Sequence, residues 1–227
     1  MSNLSLFIVP DSFTFPGFVY AVTPDQPDTA VLLAQVEAAL QGGVRLVQYR
    51  DKISAMPEKL QRARRLKQLC QAHGALLLIN DDIVLAIAAQ ADGIHLGATD
   101  GSLRDARRLL PAKTIIGASC YNDLPLARQA IADGASYVAF GACFASTTKP
   151  AARRVSPTQL AMFRQALGSQ VAICGIGGIT LDNVAQLDDQ VDAVALIAEL
   201  FGTPEAPAAP DQIRHRVSQF LAEPIPT

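Results

Sequence analysis

Leu76-Leu77-Leu78-Ile79-Asn80-Asp81 sets four apolar residues directly before two polar ones. An unbroken apolar run of this length, with no polar alternation, suits a strand buried on both faces, as parallel strands covered by helices are. The polar pair then falls at the strand's carboxyl end. Outward from this stretch the same arrangement recurs. Val44 to Val47 leads into Gln48-Tyr49-Arg50-Asp51-Lys52, Gly93-Ile94-His95-Leu96 is followed by Asp100, and Thr114 to Ala118 leads to Ser119. Tyr137 to Phe140 precedes Thr147-Thr148-Lys149, and Val171 to Cys174 precedes Gly177-Gly178-Ile179. Polar chemistry gathered after the carboxyl ends of successive parallel strands points to an α/β barrel whose site is assembled from its βα loops.

Two further strands complete the set, Phe18 to Val22 near the start and Val194 to Ile197 near the end. Helical spacing of apolar residues falls between them: Leu32 to Leu40, Met56 to His73, Ile83 to Gln90, Leu103 to Leu110, Leu124 to Ala132 and Pro157 to Leu167. A short helix is expected at Asn183 to Leu187, and a last one at Gln212 to Leu221 after a Pro- and Ala-rich linker, Thr203 to Pro210. Eight strands joined this way favour a single TIM (β/α)8 barrel over an open doubly wound sheet. The open sheet is also disfavoured because no Gly-x-Gly-x-x-Gly sequence follows the first strand. The expected organisation is an N-terminal extension over residues 1–17, a barrel over 18–222 and a tail over 223–227.

The chain has 227 residues, half of them apolar, enough for one large core. Nineteen basic residues against 21 acidic ones leave a net charge of −2, which argues against non-specific binding to nucleic acid or to an anionic membrane. No apolar stretch is long enough for a membrane-spanning helix. Cys70, Cys120, Cys143 and Cys174 lie far apart, without metal-ligand spacing, and read as buried thiols of a reduced, cytoplasmic chain.

Asp81 and Asp100 follow adjacent strands, so in a barrel both carboxylates face one mouth. Carboxylate oxygens suit Mg²⁺, which is commonly held by one or two carboxylates together with substrate phosphates and water. Arg50, Lys52 and Lys149 share one obvious use there, neutralising a polyanion. Singly, each has a plainer reading: Asp81 and Asp100 as caps of the helices that follow them, Lys149 as a solvated loop residue, His95 as a satisfied strand histidine. Gly175-Ile176-Gly177-Gly178-Ile179-Thr180 has the composition of a phosphate cradle, whereas a tight βα turn alone needs one glycine. Together these residues describe a diphosphate half with its metal and a monophosphate half.

These stretches, with Val47 ahead of Gln48 and with Ala91-Asp92-Gly93-Ile94-His95-Leu96-Gly97 and Ile116-Gly117-Ala118-Ser119, resemble the thiamine phosphate synthase family over about residues 18 to 202. The resemblance implies a transferase of thiamine biosynthesis. It would join 4-amino-5-hydroxymethyl-2-methylpyrimidine diphosphate to 4-methyl-5-hydroxyethylthiazole phosphate and release pyrophosphate. It also implies that Gln48, Tyr49, Arg50, Asp51, Lys52 and Asn80 hold the pyrimidine diphosphate, that Asp81 and Asp100 hold Mg²⁺, and that Ser119 and Lys149 bind the diphosphate. Arg50, Lys52, Ser119 and Lys149 would then carry catalysis. Ser146, Thr147, Thr148, Gly177, Gly178, Ile197 and Ala198 would hold the thiazole phosphate. A homo-oligomer is a family-based expectation.

The chain departs from the family pattern at Ala98 (usually Gln), Cys120-Tyr121 (usually Thr-His), Ala145 (usually Pro) and Ala198 (usually Ser). Two alternatives stand beside the synthase. A thiazole tautomerase would share the fold without needing the diphosphate set, and a non-catalytic barrel would bind a phosphorylated ligand.

Overall fold

A computed structural model describes residues 13–145 and 154–222 of the chain. Eight strands run β1 Val19–Val22, β2 Leu46–Tyr49, β3 Leu76–Asn80, β4 Gly93–Leu96, β5 Ile115–Tyr121, β6 Tyr137–Gly141, β7 Ala172–Ile176 and β8 Ala193–Leu196. Each pairs in parallel with the next, and β1 pairs with β8, closing the barrel. The single TIM-type barrel is therefore the architecture, and the open sheet is excluded.

Helices α1 Thr29–Gln41, α2 Met56–Ala72, α3 Ile83–Ala88, α4 Leu103–Leu109, α5 Leu124–Ala132 and α6 Pro157–Leu167 follow the first six strands. Their starts are set by side-chain caps: Asp28, Asp82, Ser102 and Asp123 each accept a backbone N–H of the first turn, and Ser156 forms a capping box with Gln159. Asp81 and Asp100 therefore do not cap α3 and α4. The neighbouring residues Asp82 and Ser102 do, which leaves both carboxylates available for the mouth.

Several bounds move from those expected. β2 starts at Leu46 because the Val44 N–H is spent on the Ala39 carbonyl at 3.1 Å, while Gln48 and Tyr49 pair with Leu78 and Ile79. β5 runs on to Tyr121 across a register shift after Ser119. The helix expected at 183–187 is a single 3-10 turn, Val184–Leu187, because the Asn183 side chain is turned back onto the Gly178 carbonyl and the Thr180 N–H, both at 2.9 Å. A one-turn helix, α7 Ala198–Phe201, follows β8 unforeseen, and α8 begins at Pro210, a residue suited to a helix's first position. The linker folds back on itself, Gly202 pairing with Pro207.

Side chains alternate along each strand between two apolar layers. Val47, Tyr49, Leu77, Ile79, Ile116 and Ala118 face the helices, with Cys70 and Cys120 in the same layer. Tyr20, Leu46, Leu78, Tyr137, Cys174 and Ala195 face the barrel axis. All four cysteines are buried and unpaired, and burial pushes the thiols of Cys70, Cys120 and Cys143 up to about 12, so they stay protonated and inert.

The N-terminal residues that read as an irregular extension include a structural piece. Phe15 is buried against Tyr20 and Tyr137, with ring centroids 6.3 and 5.0 Å away, and Phe13 packs on Phe15 at 5.0 Å. Phe13 and Phe15 lie beside Gln170, Ala172 and Asp192, where β7 and β8 begin, so they close the barrel at the end opposite the βα loops. Removing this plug opens a cavity under the axial layer. Phe15→Ala is expected to lower unfolding free energy by about 3 kcal/mol in urea titrations, in line with other buried Phe→Ala changes.

Candidate active site

The mouth is built by alternation. On β2, Gln48 points to the axis and Tyr49 packs with the outer layer, and past the strand's end Asp51 and Lys52 reach the wall of the mouth. The Tyr49 hydroxyl donates to Asp51 Oδ2 at 2.8 Å, and Arg62 on α2 reaches the same oxygen at 3.2 Å. Asp51 Oδ1 accepts the N–H groups of Ile53 and Ser54 at 3.0 and 2.9 Å. Tyr49 and Asp51 line the cavity at the mouth, and their polar atoms also tie the loop to α2. Arg62 is almost fully buried and also donates to the Gln26 and Pro27 carbonyls, so the knot holds the loops after both β1 and β2.

Arg50 is steered by residues that local patterning did not single out. Its guanidinium meets Asp25 Oδ2 at 2.6 Å, and Asp25 Oδ1 accepts the Lys52 N–H at 2.7 Å. Thr23 Oγ1 donates to the Arg50 carbonyl and accepts its N–H, both at 2.9 Å. The signal is present in Thr23-Pro24-Asp25, polar residues directly after the first strand.

Asn80, Asp81 and Asp100 meet Lys52 at the mouth, beside a cavity of about 490 Å³ that also has Lys59 and Asp82 in its wall. Lys52 Nζ lies 2.5 Å from Asp81 Oδ2, and Asn80 Nδ2 donates to the same oxygen. Asp81 holds a left-handed backbone, φ +65°, and its N–H is fixed by the His95 carbonyl at 2.8 Å. A non-glycine residue in that region is uncommon and is tolerated best by Asp and Asn. Asp81 and Asp100 converge above Gly97, where an added Cβ would stand 2.3 Å from Asp100 Oδ2 and 4.0 Å from Asp81 Oδ1. Partial desolvation, and then the Asp81 carboxylate, hold Asp100 above the ordinary carboxylate value. Two facing carboxylates with open space beside them are a donor set that suits Mg²⁺ completed by phosphate oxygens and water.

Ser119 reaches the mouth from β5, and beneath it the axis is polar. His95 Nε2 lies 2.8 Å from Ser119 Oγ and Nδ1 lies 2.8 Å from the Tyr137 hydroxyl. Tyr137 is 2.9 Å from the Tyr20 hydroxyl, which accepts Gln48 Nε2 at 2.6 Å. Burial outweighs the nearby Asp81 charge and pulls His95 down to about 4, so it is neutral at physiological pH. The strand-histidine reading is correct as to satisfaction, yet the partner is an expected site residue. Tyr20 and Tyr137 escaped notice because aromatic residues inside a strand read as core.

On the far side, Gly177 and Gly178 have φ of +97° and +65°. A Cβ on Gly177 would meet Ala142 at 2.8 Å, and one on Gly178 would meet the Ala145 carbonyl at 2.3 Å. The loops after β6 and β7 are joined by Phe144 N–H to the Gly177 carbonyl at 2.9 Å. Both glycines are thus required by the turn and the loop crossing, contrary to the expectation that the turn needs only one. Ile197 packs against the axial cluster and Ala198 opens α7. Ser146, Thr147, Thr148 and Lys149 lie outside the described residues.

Comparison with known proteins agrees with this geometry. A family model described as thiamine monophosphate synthase matches residues 19–200. The chain belongs to that family. With it comes the class: an enzyme, a transferase of thiamine biosynthesis. A thiamine-phosphate synthase of Thiobacillus denitrificans is 46% identical over 212 residues, 93% of this chain and 98% of that protein. One from Chromobacterium violaceum is 48% identical over 192 residues, covering 84% and 91%. A solved thiamine phosphate pyrophosphorylase from Pyrococcus furiosus superposes with a TM-score of 0.76 at 28% identity, covering 89% of this chain and 92% of that one. No helix among the described residues is long and apolar enough to cross a membrane.

The Asp51 knot has a pH signature. Burial alone would raise the Asp51 pKa, but the Ser54 N–H, the Tyr49 hydroxyl and the Ile53 N–H outweigh it and bring it to about 2. A depressed carboxylate stabilises the fold fully above its unfolded pKa, about 4, and that contribution is lost as pH falls toward 2. Urea titrations across this window are expected to show a shallower acid loss of stability for Asp51→Asn than for the unaltered protein.

Proposed function

We propose that this mouth makes thiamine phosphate from 4-amino-5-hydroxymethyl-2-methylpyrimidine diphosphate and 4-methyl-5-hydroxyethylthiazole phosphate, releasing pyrophosphate. The observation that carries the reading is the convergence of Lys52, Asn80, Asp81 and Asp100 from three separate loops on one cavity. Family membership supports it, and the tautomerase and binding-module alternatives gain nothing from the geometry.

Asp81 and Asp100 would hold Mg²⁺. The bound ion supplies positive charge against the departing diphosphate. Lys52 sits on Asp81 in an ion pair with about half its side chain in solvent, and such a pair is worth little, so exchange onto a phosphate is easy. Arg50, its guanidinium on Asp25 and its backbone on Thr23, would add a second cation from the same loop. Together with Lys149 these side chains stabilise charge that grows as the carbon–oxygen bond to the diphosphate breaks. The electron-rich aminopyrimidine carries the resulting methylene cation, and the thiazole nitrogen attacks it. Gln48, Asn80 and Ser119 orient the pyrimidine diphosphate, and the loop of Gly177 and Gly178, with Ser146, Thr147, Thr148, Ile197 and Ala198, seats the thiazole phosphate. Proximity of nitrogen and carbon accounts for the remaining acceleration, and no protein nucleophile is required.

Purified protein given both substrates and Mg²⁺ is expected to yield thiamine phosphate and pyrophosphate, with Lys52→Ala lowering kcat by about a hundredfold, the effect of removing one preorganised charge donor. No product at saturating substrate would overturn the synthase reading. Calorimetry separates the tautomerase, which should ignore the pyrimidine diphosphate. The metal assignment has its own readout. Mg²⁺ with pyrophosphate should raise the Tm of the unaltered protein, while Asp100→Asn, relieved of repulsion from Asp81, should lose that response without losing stability when no cation is present.

A further inference from the structure

We propose that Tyr20, Tyr137 and His95 form a one-way hydrogen-bond chain through the barrel axis. It ties the amide orientation of Gln48 to the donor direction of the Ser119 hydroxyl. Gln48 thereby reads the pyrimidine's amino group and, through the chain, presents Ser119 to the diphosphate as a donor. This rests on the function proposed above for the identity of the ligand, while the chain itself rests on geometry alone.

Each link leaves no freedom. Gln48 Nε2 carries only protons to donate, so the Tyr20 oxygen accepts at 2.6 Å and its own proton must go to Tyr137, 2.9 Å away. Tyr137 then accepts from Tyr20 and gives its proton to His95 Nδ1, at 2.8 Å. A neutral imidazole has one N–H. With Nδ1 accepting, it lies on Nε2, which donates to Ser119 Oγ at 2.8 Å. The Ser119 proton is therefore excluded from the histidine and turns outward into the mouth.

Turning the Gln48 amide over reverses the whole series. Oε1 would accept from Tyr20, Tyr20 from Tyr137, Tyr137 from Nδ1–H, and Nε2 would take the Ser119 proton, leaving that hydroxyl with no donor for a ligand. The choice is made at Gln48, whose Oε1 has no hydrogen-bond partner among the described residues. A ligand N–H at Oε1 holds Nε2 toward Tyr20. The amino group of an aminopyrimidine is such a donor, and the diphosphate at Ser119 is an acceptor, so both ends of one substrate favour the same polarity. Burial makes the coupling strict: Tyr20, Tyr137, Gln48 and His95 are each at most 9% exposed, so water is poorly placed to substitute for a missing link. Gly117 is needed for the path, because a Cβ there would stand 2.1 Å from the Tyr137 ring.

Tyr20, Tyr137 and His95 are positioning residues in this scheme, and two measurements test it. The first needs no substrate. The chain has three histidines, of which His95 is the buried one, so ¹⁵N spectra of the histidine-labelled protein resolve its tautomer. The unaltered protein is expected to carry the proton on Nε2. Gln48→Glu, which puts an acceptor where the donor was, should move it to Nδ1. An Nδ1–H tautomer in the unaltered protein, or no change in Gln48→Glu, would sink the inference whatever the enzyme makes. The second is a double-mutant cycle on kcat. Tyr137→Phe should lower kcat roughly tenfold in the unaltered protein and by less than about twofold in a Ser119→Ala background, since it acts through that hydroxyl. Equal losses in both backgrounds would mean a structural role only and overturn the proposal. Tyr20→Phe repeats the cycle should Tyr137→Phe not fold. Inactivity of the unaltered protein would instead count against the synthase reading and leave the tautomer result standing.

Discussion

Side-chain alternation along a closed ring of parallel strands is the constraint on which the molecule depends. Closure between β1 and β8 gives every strand one face toward the axis and one toward the helices, so a step of one residue decides which environment a group enters. In the stretch from Gln48 to Lys52 that step separates two functions. Gln48 joins the axial chain and Lys52 meets Asp81, while Tyr49 and Asp51 lock the loop to Arg62. A one-residue slip of β2 would bury the cations and expose the knot.

The mouth is held in a state of electrostatic tension. Asp81 and Asp100 approach each other with Lys52 as the neighbouring cation, and Asp81 keeps a left-handed backbone to do so. Like charges held this close raise the energy of both ionised forms. Asp25, Thr23 and Arg62 fix the loop from which Lys52 reaches Asp81. The barrel's other end differs: Phe13 and Phe15 set apolar rings against Tyr20 and Tyr137 there.

Between the two ends the axis changes character. Leu46, Leu78 and Ala195 stand level with Tyr20 and Gln48, and the polar links from Gln48 to Ser119 run among them. A polar chain in so dry a place is tolerated because each member has a partner within it, and the shared protons make its direction cooperative. The departures from the family pattern leave this chain untouched: Cys120 is buried in the outer layer and Tyr121 is on the exposed side of the register shift.

The order of elements, the two-sided burial of strands such as Leu76-Leu77-Leu78-Ile79, and the gathering of polar residues after them followed from the sequence alone, because hydrophobic period and strand-end position are local properties. The positions of Asp81, Asp100, Arg50, Lys52, Asn80 and Ser119 at or just past strand ends were legible for the same reason. What only the tertiary structure decided was pairing across the barrel: Asp25 with Arg50, Asp81 facing Asp100 over Gly97, and Tyr20 with Tyr137, which are 117 residues apart. It also decided that Tyr49 and Asp51 meet Arg62 and that Phe15 packs under Tyr20 and Tyr137. Such contacts arise when strand register and ring closure bring distant side chains within hydrogen-bond reach, and no local pattern encodes that distance.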